Sequence, residues 1–151
     1  MLAAPAQAVR PGAPAPPFSL ATAGGDRVAL ASLRGRVVYV DFWASWCAPC
    51  RRSFPWMNAL QDRYGSAGLS IVGVNVDQRP SDAARFLRDT PAKFAIVYDA
   101  PGATPAAYDV HSMPSSFLID RQGVVVAVEE GFHDDRRLAL EERIRALVAA
   151  H

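Results

Sequence analysis

The stretch Val40-Asp41-Phe42-Trp43-Ala44-Ser45-Trp46-Cys47-Ala48-Pro49-Cys50 decides how this chain of 151 residues is read, because two periodicities meet in it and it holds both cysteines. Val37-Val38-Tyr39-Val40 and then Phe42-Trp43 form an apolar run rich in β-branched and aromatic residues, which is strand chemistry. After Cys50, the residues Phe54, Met57, Leu60 and Tyr64 recur at helical spacing as far as Gly65, with Pro55 expected to kink the helix. The cysteines therefore fall where a strand ends and a helix begins. A helix's first turn has unpaired N–H groups and the positive end of the dipole, and both favour thiolate over thiol. Cys47 is accordingly expected to be an acidified, exposed nucleophile. Cys50, one turn further in, is spaced to close a disulfide with it, and Cys-x-x-Cys is a setting that lowers a cysteine pKa. Pro49 suits the first helical turn, where the N–H it lacks would be unpaired anyway.

Three other uses of two cysteines compete with a redox pair. A structural bridge across so short a loop removes little unfolded-state entropy. A zinc site would need further ligands from a second Cys or His pair, which the sequence does not contain. A reduced core pair sits poorly beside Trp46 and Ala48-Pro49, which mark a rim. The residues thus favour a disulfide that opens and closes, with neither metal nor cofactor.

The pattern Val-Asp-Phe-Trp-Ala-x-Trp-Cys-x-Pro-Cys resembles the active-site signature of thioredoxin-fold disulfide oxidoreductases. The flanking sequence, from about residue 14 to 150, is more similar to the TlpA/ResA branch than to thioredoxin itself. The resemblance implies an α/β thioredoxin fold: a central mixed sheet flanked by helices, an N-terminal β-hairpin and a TlpA-type central insertion. It implies a thiol:disulfide oxidoreductase in which Cys47 attacks a partner disulfide and Cys50 resolves the mixed disulfide. It also implies a periplasmic or otherwise exported domain, possible tethering to a membrane, and protein disulfides or dithiols as substrates. A reductant in that setting needs an electron donor, for which a membrane thiol protein is expected. A peroxiredoxin-like peroxidase would want Thr where Ala44 stands. A copper-delivery module would want a wider cysteine spacing and a distant His.

Composition fits one soluble domain: 50% of residues are hydrophobic and 21% charged. Sixteen basic residues against fifteen acidic leave a formal charge of +1, so nothing points to nucleic acid. No apolar run reaches the roughly 18 residues of a membrane span. Residues 1–17 are rich in Ala and Pro and read as a disordered lead-in to a thioredoxin-like domain over 18–151. Ala6-Gln7-Ala8 resembles the end of a secretory signal whose charged start and apolar stretch are missing, which suggests a chain recorded from near a cleavage site.

Along the chain, Phe18 to Leu30 reads as a hairpin about Gly24-Gly25-Asp26, and 36–42 as the central strand. Leu69 to Val76 alternates as a buried strand, and Pro80-Ser81-Asp82 opens a second helix ending near Arg88. These parallel strand-helix-strand units imply helices on both sheet faces. A strand at 94–98 and a short helix at 104–108 fill the stretch before Pro114, which resembles the TlpA insertion. Residues 115–128 form a hairpin with Gly123 at a positive φ. Asp134 is expected to cap a last helix whose Leu140, Ile144, Leu147 and Val148 face the sheet, while Arg137, Glu141 and Arg145 form i,i+4 pairs.

Around the cysteines, Asp41 stands inside apolar strand sequence, where desolvation should raise its pKa and make it a proton acceptor near neutral pH. The resemblance to thioredoxin implies that Asp41 deprotonates the second cysteine. A solvated Asp at a strand end is the plainer alternative. TlpA-like proteins commonly have Glu where Ser53 stands, and thioredoxin has Lys where Gly73 stands, so the proton-handling group here falls to Asp41. Pro114 belongs at a strand's first position or in a turn. By the resemblance it is cis and lies against the disulfide, leaving the Met113 backbone to pair with an extended substrate. Trp46 is expected on the docking surface, Trp43 beneath it, and Trp56 in the core or at the rim of the same helix. Arg51, Arg52 and His111 read as surface residues.

Overall fold

β3 (Val37–Trp43) is buried at all seven of its residues, as expected of a strand that is apolar almost throughout and covered on both faces. The computed structural model, which describes residues 9–150, arranges the rest of the chain around it. β1 (Ser19–Ala21) and β2 (Arg27–Ala29) form the N-terminal hairpin, and a 3-10 turn at Leu30–Leu33 leads to β3. Then follow α1 (Ala48–Tyr64), β4 (Leu69–Asn75), α2 (Pro80–Asp89), β5 (Ala95–Tyr98), α3 (Ala103–Ala107), β6 (Ser115–Ile119), β7 (Val125–Glu130) and α4 (Asp134–Ala149). The strands make one mixed sheet in the order β2-β1-β5-β4-β3-β6-β7. β3 is parallel to β4 and antiparallel to β6, and Asp41 lies opposite Gly73 on one side and Ser116 on the other. The stretch after α2 supplies β5, which pairs with β4 and, through Tyr98 and Ala21, attaches the N-terminal hairpin.

Two successive crossovers, β3-α1-β4 and β4-α2-β5, step across the sheet in the same direction. Right-handed connections of that kind put both helices on one face. α4 joins them, so Phe54 and Met57 of α1, Phe86 of α2 and Ile144 and Val148 of α4 pack on Tyr39, Trp43, Leu69 and Ile71. On the other face Phe18, Leu30 and Tyr108 cover Val38, Val40, Phe42, Val72 and Val74. Helices do occupy both faces, but unequally, because only the return from β5 to β6 through α3 runs in the opposite direction. Trp43 binds the larger group together: its ring centroid lies 5.0 Å from that of Phe54 and 4.8 Å from that of Phe86.

Three expectations need correction. The lead-in is not disordered as far as residue 17; its first eight residues lie outside those described. Gly12 N–H donates to Val125 O at 2.8 Å, Ala15 N–H donates to Gly123 O at 2.9 Å, and the Tyr108 hydroxyl donates to Pro16 O at 2.7 Å. These contacts belong to the backbone, so an Ala- and Pro-rich composition does not reveal them. Asp134 does not cap α4; His133 occupies the N-cap without a side-chain capping bond, and the Asp134 carboxylate lies 3.7 Å from Arg52 and 3.9 Å from Arg137. The i,i+4 pairs on α4 do not form either. Glu141 turns to Arg63 of α1, and Arg145 pairs with Glu142, because a cation on the neighbouring helix competes for the same carboxylate.

Candidate active site

Cys47 is the N-cap of α1 and Pro49 lies in its first turn, so the change from strand to helix read in the sequence is present at the cysteines. Cys47 and Cys50 are joined as a disulfide. The Cys50 N–H, in the first turn of the helix, is shared between Cys47 O and Cys47 Sγ, at 3.2 Å from each. That donor and the helix dipole stabilise negative charge on Cys47 once the bridge opens. The expectation of an exposed Cys47 needs correction: it is 3% exposed against 0% for Cys50. The loop folds back through a Cys47 N–H to Ala44 O bond of 3.1 Å, and the exposed part of the rim is Trp46, at 69%. Cys47 is the outer of the two sulfurs by position rather than by area.

Asp77, which the sequence reading did not single out, fixes the loop before the cysteines. Its carboxylate accepts from Ser45 N–H at 2.9 Å, from Ser45 Oγ at 2.8 Å and from Asn75 Nδ2 at 2.8 Å. The Asn75 side chain returns a bond, accepting from Asp77 N–H at 3.1 Å. The C-terminal end of β4 is thereby tied to the loop leaving β3. The pattern Asn75-Val76-Asp77 at the end of a buried strand was the available signal.

Asp41 is 1% exposed, on the sheet face that α1 covers. Its Oδ1 accepts from Ser116 Oγ at 2.7 Å, and its Oδ2 has no protein partner, which leaves a site for a proton. Burial pushes its carboxyl up from 3.8 to about 7, with the Ser116 hydrogen bond acting the other way. The plainer alternative, a solvated Asp at a strand end, does not describe this residue. At Gly73, opposite Asp41, a Cβ would come within 3.1 Å of Trp43 Nε1 and 3.0 Å of an Ile96 methyl. The space a lysine would need there is filled by the core. Ser53 is buried one turn past Cys50, and its hydroxyl donates to Cys50 O at 3.1 Å.

The Met113–Pro114 peptide is cis. Ser115 lies opposite Phe42 in the ladder, so Pro114 sits beside the end of β3, where the cysteine loop begins. Trp56 packs edge-on against Tyr39 and beside Phe132. Arg51 stacks on Phe86 and Arg52 on Phe132, and His111 is an exposed residue bonded to Asp109. Among the described residues no cluster of His, Cys, Asp or Glu has the arrangement of a metal site, and no helix is long and apolar enough to cross a membrane.

Comparison with known proteins agrees with this geometry. Residues 10–143 match the Redoxin family. The chain is 35% identical to the thiol-disulfide oxidoreductase ResA of Bacillus subtilis over 125 residues, 83% of this chain and 70% of that protein. It is 36% identical to ResA of Geobacillus kaustophilus over 124 residues, covering 82% and 71%. Among solved structures, a protein described as thiol:disulfide interchange protein DsbE from Chlorobium tepidum superposes with a TM-score of 0.89 at 46% identity, covering 93% of this chain and 99% of that one. With its paired cysteines at the mouth of α1 on this sheet, the chain belongs to the Redoxin family and is a thiol:disulfide oxidoreductase similar to ResA.

Proposed function

We propose that the chain reduces disulfides of exported proteins, with Cys47 as nucleophile, Cys50 as resolving thiol and Asp41 as proton acceptor. The observation that carries the order of attack is the N-cap position of Cys47, with the Cys50 N–H aimed at its sulfur. In the dithiol form the Cys47 thiolate attacks one sulfur of a partner disulfide. A Cys47–partner bond forms and the partner's other sulfur leaves as thiolate. Cys50 gives its proton to Asp41 and attacks Cys47 Sγ, which closes the Cys47–Cys50 bond and releases the second partner thiolate. Two electrons pass to the partner, and an external dithiol restores the pair. The proposal includes a place outside the cytoplasm and a membrane thiol protein as that donor. Trp46, Met113 and Pro114 are the proposed docking residues: Trp46 offers an exposed apolar plate, and the Met113 backbone lies beside the same loop.

Trapping tests the order of attack. Cys50→Ser is expected to accumulate mixed disulfides with partner proteins, and Cys47→Ser none. In the reduced chain at mildly acidic pH, Cys47 is expected to be alkylated first. Preferential labelling of Cys50 overturns the assignment.

A further inference from the structure

Met113, the proposed pairing residue for an extended partner, stands in a segment that is held only at its ends. Asp109 takes a left-handed φ of 56° and turns the chain out of α3 toward Pro114. Its N–H donates to Ala106 O at 3.1 Å, and the Val110 N–H donates to Pro105 O at 2.9 Å, which fixes the start of the turn. At the far end Ser115 Oγ donates to Ser112 O at 2.7 Å, and the Gly131 N–H donates to Pro114 O at 2.7 Å. Between these anchors, among the described residues, the N–H groups of His111, Ser112 and Met113 donate to no backbone carbonyl. The Met113 N–H is therefore open to a partner, and its direction is set by where the segment begins and ends.

The segment begins at Tyr108, which is 1% exposed. Its ring centroid lies 5.3 Å from that of Phe42, 4.9 Å from that of Phe117 and 6.3 Å from that of Phe18. A phenylalanine would fill that cluster equally well. The hydroxyl adds one contact, its 2.7 Å bond to Pro16 O, and Pro16 belongs to the lead-in. Pro16 and Pro17 have fixed φ, so a stiff stretch of backbone presents this carbonyl. The lead-in is fastened on either side of it. Gly12 and Ala15 pair with the β6–β7 hairpin, and Phe18 O accepts from the Leu30 N–H at 2.9 Å.

We propose that Tyr108 is a positioning residue of the substrate site, held by the lead-in through Pro16, and that the lead-in thereby sets how well Met113 grips a partner's backbone. The proposal rests on the reading of Met113 as the residue that pairs with the partner. Without the bond to Pro16 the Tyr108 ring shifts within its cluster, and residues 109–114 carry the shift to Met113 because no backbone bond at 111–113 resists it. Cys47 is not on this path, since its loop is held by Asp77 and by Ala44 O. Chemistry at the sulfur continues while the grip on the partner's backbone weakens.

Two disulfide probes separate grip from chemistry, with dithiothreitol restoring the dithiol. One is a disulfide-bridged peptide that runs on in extended form to both sides of its reactive cysteine. The other is hydroxyethyl disulfide, which has no backbone to pair. In the full chain, Tyr108→Phe keeps the ring and removes the hydroxyl. Gly12→Pro leaves Tyr108 intact and unfastens the lead-in from β7, because proline lacks the N–H that Val125 O accepts and cannot adopt the φ of 93° found at Gly12. One neutral hydrogen bond changes an equilibrium by about two- to tenfold. Each variant is therefore expected to raise KM for the peptide by about threefold or more, with kcat for the peptide and kcat/KM for hydroxyethyl disulfide within about twofold of the parent. A hydroxyl that only stabilises the fold would lower the melting temperature and leave the peptide KM unchanged. A smaller rise in peptide KM in either variant overturns the proposal, and so does an equal loss with both probes. Methylating the peptide nitrogens beside the reactive cysteine tests the reading beneath it. A parent that reduces methylated and plain peptides equally well does not pair through Met113, and the role of Tyr108 falls with that reading. A parent that discriminates between them, with variants that match it, confines the failure to Tyr108.

Discussion

At the residue scale, Asp41 shows how a fold lifts the pKa of an ordinary carboxylate toward neutral pH. Unfolded, its pKa is 3.8; in the fold it is about 7, because burial disfavours the charged form more than the Ser116 hydroxyl supports it. The folded chain thus holds this proton more tightly than the unfolded chain, so stability falls as pH rises from about 4 to about 7 and the cost is complete above that. Asp41→Asn removes the charge and keeps the shape. It is expected to melt at a higher temperature, with a gain on the order of 1–4 kcal/mol above pH 7 that shrinks as pH falls toward 4. Resolution by Cys50 is expected to slow by about tenfold to a hundredfold. In the parent that step should quicken as pH rises through about 7, and in the variant it should lose the dependence. Single-turnover kinetics on a trapped mixed disulfide measure both, and a parental rate and profile in the variant would make Asp41 structural. Asp41 was legible in the sequence because a charge inside an apolar strand is costly. The small exposure of Cys47 was not, since it depends on how the loop before it turns back through the Cys47 N–H to Ala44 O bond.

At the scale of elements, the cysteine loop is held from outside itself. Asp77 at the end of β4 accepts three hydrogen bonds, two of them from Ser45, so the parallel pairing of β3 with β4 sets the position of the helix N-terminus. Asp77→Ala would leave the Ser45 N–H and the Asn75 amide without their acceptor in a mostly buried place. The expected cost is about 2–4 kcal/mol in thermal or denaturant unfolding, with slower alkylation of Cys47 as the loop loosens. Unaltered alkylation with lowered stability would confine Asp77 to a structural role. Elements with strong periodicity, such as β3, α1 and the β6–β7 hairpin, could be read directly, and so could the positive φ of Gly123. Links made by backbone or by one distant carboxylate could not. The strand-like pairing of residues 12–15 and the turn of Glu141 toward Arg63 depend on neighbours that only the assembled sheet supplies.

At the scale of the whole molecule, the direction of electron flow depends on how much the fold stabilises the dithiol. Strong oxidants among such proteins owe their potential to a stabilised reduced form. Here Cys47 receives one N–H and the end of one helix dipole, and Ala48-Pro49 adds no side-chain donor. Arg51 and Arg52 are the nearby cations. Arg51 lies over the Phe86 ring at 4.8 Å, Arg52 is drawn toward Asp134 at 3.7 Å, and exposed charges are screened over about 10 Å at ordinary salt. With so little holding the thiolate, the disulfide is the favoured state and the pair should act as a reductant. Equilibration with glutathione measures this, and a pair reduced as readily as that of a strong oxidase would refute it. Ala48 is exposed in the first turn of α1, so a histidine there can reach the thiolate without disturbing the core. Ala48→His is expected to raise the potential by about 30–60 mV, since about 30 mV corresponds to about 1.4 kcal/mol for two electrons. The rise should be larger at pH 6 than at pH 8, because only the protonated imidazole adds charge to its hydrogen bond. An unchanged potential would mean that the helix N-terminus already saturates the stabilisation of Cys47, and that the direction of flow is set by the partner proteins.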